Sequence, residues 1–150
     1  MSTCVHTLID AENVDCAYWN QIKQRLGNVG QVSSVRIFGD FSDGQRKGWL
    51  RIARAEAIEV VMNLGGSNAC DIAITVAAMD LLHTVKPSAI CLVASDRDYA
   101  PLALRLRRAG LTVHGFGEAK APAEYRKTFT SFTILKKPRL SQPVLVAKAA

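Results

Sequence analysis

Long apolar runs are missing from this sequence. No stretch approaches the length needed to span a bilayer, and the N-terminal Met-Ser-Thr-Cys-Val-His lacks the basic and apolar segments of a secretory leader. The expectation is a soluble, cytoplasmic protein with no membrane partner. Cysteine is sparse: Cys4, Cys16, Cys70 and Cys91 lie far apart and form no C-x-x-C pair, which disfavours both a zinc knuckle and a disulfide scaffold. All four read as reduced, with Cys4 and Cys91 on expected strands where buried thiols are common. No G-x-G-x-x-G follows the first strand pattern and no Walker lysine is present, so Gly115-Phe116-Gly117 is no dinucleotide fingerprint. His6, His83 and His114 are scattered and read as packing residues. Internal repeats and low-complexity tracts are absent.

What the chain does hold is an ordinary globular composition, 49% hydrophobic and 21% charged over 150 residues, enough for one domain with its own core. Nineteen Lys and Arg outnumber thirteen Asp and Glu, for a formal charge of +6. That surplus favours a polyanionic partner, because cations placed near phosphates release condensed counterions.

Short apolar runs alternate with helical patterns, as parallel β/α units require. Strands are predicted at Val5–Ile9, Val32–Phe38, Ala57–Met62, Ala89–Ala94, Leu111–Phe116 and Ser131–Leu135. Helices are predicted at Cys16–Leu26, Gln45–Ala55, Asn68–His83, Tyr99–Ala109 and Ala123–Thr128, with Gly110 as a C′ residue. Ile72, Ala73, Val76 and Met79 follow the spacing of a buried stripe on the long helix. The domain is expected to close at residue 135. From Lys136-Lys137-Pro138-Arg139 to residue 150 runs a basic tail, read as mobile or ordered only by a partner, with a homo-oligomer one option.

In open α/β sheets ligands bind beyond the carboxyl ends of the strands, and acids fall there. Asp10 directly follows the first strand, and Asp96 and Asp98 follow the continuous apolar strand that reads as central. Asp71 stands in the first turn of the long helix, where it either joins a site or complements the helix dipole behind an Asn68 cap. Pro101 must lie in the first turn of its helix, which places the cap at Arg97 or Asp98 and leaves Asp96 with no capping task. Converging carboxylates make sense around a hard cation such as Mg²⁺ or Mn²⁺, and such a cation activates water for phosphodiester hydrolysis.

Candidates for gripping an anionic substrate are Arg97, which either reaches a phosphate or balances its flanking acids, and Lys120, Arg126 and Lys127 beyond Gly117. The last group forms either one wall of a basic groove or a solvated helix face. Arg105, Arg107 and Arg108 suit the C-terminus of their helix. Trp49 reads as core, and Tyr99 as packing beside the site.

Leu8-Ile9-Asp10-Ala11-Glu12-Asn13-Val14, Ser67-Asn68-Ala69-Cys70-Asp71-Ile72-Ala73-Ile74, Ala94-Ser95-Asp96-Arg97-Asp98-Tyr99 and Val113-His114-Gly115-Phe116-Gly117-Glu118 together resemble the NYN domain family of the PIN-like nuclease superfamily. The resemblance runs from about residue 5 to residue 135 with its motifs in the expected order. It implies a PIN-like Rossmannoid three-layer α/β fold with a mostly parallel central sheet. It also implies a Mg²⁺- or Mn²⁺-dependent ribonuclease site at Asp10, Asp71, Asp96 and Asp98, which leaves a 5′-phosphate. Asn13 and Ser95 map as polar supports, while Asn68 joins the substrate-binding candidates. Many relatives carry Lys where Ser67 stands and an acid where Ala77 stands. The alternative reading is a non-catalytic RNA-binding or scaffold domain that retains a weak metal site. A phosphatase or nucleotide hydrolase is disfavoured, because no nucleophile motif stands out.

Overall fold

The computed structural model describes residues 4–42, 44, 47–66 and 68–138. Among the described residues six strands alternate with five helices: β1 (Cys4–Asp10), α1 (Trp19–Val29), β2 (Gln31–Gly39), α2 (Lys47–Glu56), β3 (Glu59–Met62), α3 (Ala69–Asp80), β4 (Ala89–Val93), α4 (Ala100–Arg108), β5 (Thr112–Glu118), α5 (Ala123–Arg126) and β6 (Ser131–Leu135). Single 3₁₀ turns at Cys16–Tyr18 and Arg97–Tyr99 lead into α1 and α4, and a π-helical turn at Leu81–Val85 extends α3.

The sheet order is β3-β2-β1-β4-β5-β6. Every neighbouring pair is parallel, so all six carboxyl ends share one edge. The chain builds outward from β1 through β2 to β3, then returns beside β1 with β4 and builds the other way. The switch between β1 and β4 opens a crevice at that edge.

Two apolar layers enclose the sheet. Trp19, Ile22, Leu26, Trp49 and Ile52 of α1 and α2 cover one face, against Val5, Ile9, Ile37 and Val93. Cys70, Ile74, Leu102, Leu106 and Tyr125 of α3, α4 and α5 cover the other, against Leu8, Phe38, Ile90 and Leu92. β4 is buried along its whole length, as an apolar strand with both faces covered must be. Trp49 is core as expected, edge-on to Trp19 with its indole N–H donating to the Val14 carbonyl at 2.7 Å.

Several expectations need correction. The buried stripe of α3 is Cys70, Ile74 and Ala78, while Ile72 is 62% and Val76 56% exposed. This helix is apolar nearly all round, so hydrophobic spacing does not select one face; the smaller Cys70 and Ala78 fit closest to the sheet. β3 begins at Glu59, since Ala57 takes a positive φ of 56° and turns the chain out of α2. β5 continues past Phe116 to Glu118. Cys4 is exposed at the mouth of β1, whereas Cys91 is buried in β4. Gln45 and Arg46 of the second expected helix, Ser67 of the long-helix motif, and residues 139–150 of the tail lie outside the described residues. Ala77 is half-buried against the second layer.

The Gly115-Phe116-Gly117 segment has a packing reason. A Cβ on Gly115 would lie 2.5 Å from the Phe132 ring and 2.8 Å from Phe129, in a cluster of edge-on rings completed by Tyr125. A Cβ on Gly117 would meet the Ala94 carbonyl at 2.9 Å, Phe132 at 2.9 Å and Ser95 Oγ at 3.0 Å. Gly117 thus lets β5 run flush against the turn that carries the Asp96 motif. Gly117→Ala is expected to cost about 1–3 kcal/mol by overpacking, measured by urea denaturation; a loss below 0.5 kcal/mol would show that the contact relaxes freely.

Candidate metal centre at the carboxyl edge

Asp10 ends β1 on the face covered by α3 and α4 and is fully buried. A buried carboxylate must be hydrogen-bonded or neutralised, and the fold converges on this one. Its Oδ1 accepts from the backbone N–H groups of Glu12 at 3.1 Å and Asn13 at 3.2 Å, and from the Cys70 thiol at 3.3 Å. Its Oδ2 accepts from the Asn13 side-chain amide at 3.0 Å and the Tyr99 hydroxyl at 3.3 Å. Two backbone and three side-chain donors, from the β1 loop, α3 and the 97–99 turn, therefore meet at one residue. Burial first, and Asp10 second, push the Cys70 thiol up, so it stays protonated and donating.

Above Asp10 stand the other acids. Asp71 projects from the first turn of α3, half-buried, while Asp96 and Asp98 are exposed in the turn after β4. One oxygen from each of Asp71, Asp96 and Asp98 lies within 4.8 Å of the other two, forming a group that can hold a metal ion. Asp10 lies beneath this group rather than in it. Desolvation raises the Asp71 carboxyl above its ordinary value; the Tyr99 hydroxyl opposes the shift, and the charges of Asp10, Asp96 and Asp98 add to it.

Asp96 does have a capping task, contrary to expectation. It is the N-cap of the 3₁₀ turn, and its Oδ1 accepts from Asp98 N–H at 2.9 Å. Pro101 fixes where the α-helix begins, not where the turn before it begins. The 3₁₀ turn inserted before α4 keeps Pro101 in the first turn of that helix while the cap sits further back. Asp98, sharing neither cap nor core, faces solvent. Asn68 occupies the N-cap position of α3, exposed and left-handed at φ 66°, without a side-chain capping bond.

The supports act as ties between elements. Ser95 Oγ accepts from Glu118 N–H at 2.8 Å and joins the β4 turn to the end of β5. Glu118 accepts from the Tyr18 hydroxyl at 3.0 Å, and burial, with that bond second, pushes the Tyr18 phenol up to about 12. Glu12 was overlooked in the sequence: its Oε1 accepts from Asp40 N–H at 3.0 Å and from the Asn63 amide at 3.5 Å, tying the β1 loop to the ends of β2 and β3. Its place two residues after Asp10 was the available signal. A cavity of about 220 Å³ opens beside this loop, lined by Glu12, Asn13, Asp15, Cys16 and Trp49.

The basic candidates do not gather at one point. Arg97 is exposed beside the acids. Lys120 lies 3.6 Å from Glu118, within the acid network. Arg126 is anchored through Nε to the Ala121 carbonyl at 3.1 Å, and Lys127 is exposed at the end of α5. Arg105, Arg107 and Arg108 occupy the last turn of α4, and Arg107 donates to the Thr128 carbonyl at 3.1 Å.

The family model for the NYN domain matches residues 5–136. The chain belongs to the NYN domain family. That places it among PIN-like nuclease folds, in keeping with its parallel sheet flanked by helices. A crystal structure of a Vibrio parahaemolyticus protein, titled as being of unknown function, superposes with a TM-score of 0.70 at 18% identity, covering 90% of this chain and 94% of that one. The likeness shows a shared fold. No curated protein matches the chain.

The raised Asp71 has a measurable consequence. A carboxyl held above its ordinary value binds its proton more readily in the folded than in the unfolded chain, so its ionised form lowers stability at neutral pH. Asp71→Asn is expected to stabilise the metal-free NYN domain at pH 7. The gain should vanish as the pH falls below the ordinary value of 3.8, where both states are protonated. Urea unfolding across that range checks this; a variant no more stable than wild type at pH 7 would contradict it.

Proposed function

We propose that this NYN domain is a metal-dependent ribonuclease that hydrolyses RNA phosphodiester bonds at Asp71, Asp96 and Asp98, with Asp10 beneath them. The observation that carries the reading is the meeting of three carboxylates, each with an oxygen within 4.8 Å of the others, at the carboxyl edge of a parallel sheet. An all-oxygen donor set suits a hard cation, Mg²⁺ or Mn²⁺. When bound, that cation supplies an acidified water and stabilises negative charge on a phosphodiester.

The chain's own residues do the rest. Asp71, Asp96 and Asp98 hold the cation, and Asp10 fixes the floor of the site through its five donors. Asn13 and Ser95 keep the turns after β1 and β4 in place. On this reading exposed Arg97 and Asn68 meet phosphates, and Lys120, Arg126 and Lys127 form one wall of the approach. The chain's net charge of +6 favours such a polyanion.

Labelled RNA incubated with Mg²⁺ or Mn²⁺ tests the reading. Wild type is expected to cut only with the metal, and Asp96→Asn to lose the rate by on the order of 100-fold or more. Tight RNA binding with no metal-dependent cutting would replace the enzyme by a binding or scaffold domain. Mn²⁺ alone should also raise the melting temperature, because it binds the folded chain; no shift at millimolar Mn²⁺ would count against the site.

A further inference from the structure

Tyr99 is 1% exposed and packs among Leu92, Leu102, Ala121 and Tyr125 in the second layer. A phenylalanine would fill the same space. The hydroxyl is what needs an account, since a buried O–H without a partner is costly. It donates to Asp10 Oδ2 at 3.3 Å, and the other oxygen of that carboxylate accepts at 3.3 Å from the thiol of Cys70, the residue before Asp71 on α3, which packs against the 97–99 turn.

We propose that Tyr99 is a positioning residue of the metal site: through the buried Asp10 carboxylate its hydroxyl ties the 97–99 turn to Cys70 of α3, and so sets where the Asp71 oxygens stand relative to those of Asp96 and Asp98. This rests on the metal-centre reading above. Asp71 belongs to a different element from the other two acids. Asp96 and Asp98 are fixed to each other through their own turn, by the Asp98 N–H to Asp96 bond at 2.9 Å. Asp71 shares no such turn with them. Tyr99 directly follows Asp98 and Cys70 directly precedes Asp71, so their two bonds to the one Asp10 carboxylate relate the two halves of the site. Partners that orient metal ligands typically cost 10–100-fold in metal affinity when removed.

The test is a Mn²⁺ titration of the full chain, followed by the electron paramagnetic resonance signal of free Mn²⁺, for wild type, Tyr99→Phe and Tyr125→Phe. Tyr125→Phe is the control: it removes a buried hydroxyl that donates to the Ala94 carbonyl at 3.0 Å and makes no hydrogen bond to a carboxylate. Tyr99→Phe is expected to bind Mn²⁺ about 10-fold or more weakly, with melting lowered by no more than about 5 °C. Tyr125→Phe should lose comparable melting temperature and stay within about threefold of wild-type affinity. Unchanged affinity in a folded Tyr99→Phe chain would overturn the proposal, as would equal weakening in both variants. Failure of the wild type to bind Mn²⁺ would instead remove the metal-centre reading itself.

Discussion

A carboxylate without solvent is the constraint on which the rest of this site depends. Removing Asp10 from water is unfavourable unless donors surround it, and no single element supplies enough of them. The β1 loop gives two backbone N–H groups and the Asn13 amide, α3 gives a thiol, and the turn after β4 gives a phenol. Satisfying one anion thus ties together three segments that the sheet and its covering helices already bring near. The acids above it inherit that geometry: Asp71 neighbours Cys70, and Asp98 neighbours Tyr99. Mutual repulsion among the upper carboxylates works against the folded state. The packed layers beneath, rather than the acids, hold the arrangement together.

Much of this was legible in the sequence, because strands and helices were marked by two different periods. The parallel β/α order, the central place of β1 and β4, and the acids at strand ends follow from apolar runs that stop at Asp10 and Asp96. The inward face of α3 was not legible. Ile72 and Val76 match the helical period as well as Ile74 and Ala78 do, and only the space over β1 and β2 decides between them. The capping role of Asp96 was hidden by a single 3₁₀ turn, whose hydrogen bonds reach one residue less than those of an α-helix. The links from Cys70 and Tyr99 to Asp10 span 60 and 89 residues; no local pattern announces such pairs.

The charge of the molecule is unevenly divided. No lysine or arginine occurs between Arg54 and Lys86, a stretch that includes β3 and α3. Its exposed residues include Met62, Leu64, Ile72 and Val76, so this flank adds nothing to attraction of a polyanion. The cations gather instead on α2, α4, α5 and the stretch after β6. An acidic centre in a basic chain is consistent physics when attraction and chemistry occupy different places.

The end of β6 illustrates that separation. The Gln21 side chain grips the backbone of Lys136 in both directions, its amide donating to the carbonyl at 2.5 Å and its oxygen accepting from the N–H at 2.8 Å. Because β6 is parallel to every other strand, Lys136 and Lys137 leave the sheet at the same edge as the acids. Two strand spacings, roughly 10 Å, separate β6 from β4, a distance close to the screening length of physiological salt. A polyanion drawn to those lysines is therefore already within about one screening length of the aspartates, although it touches none of them.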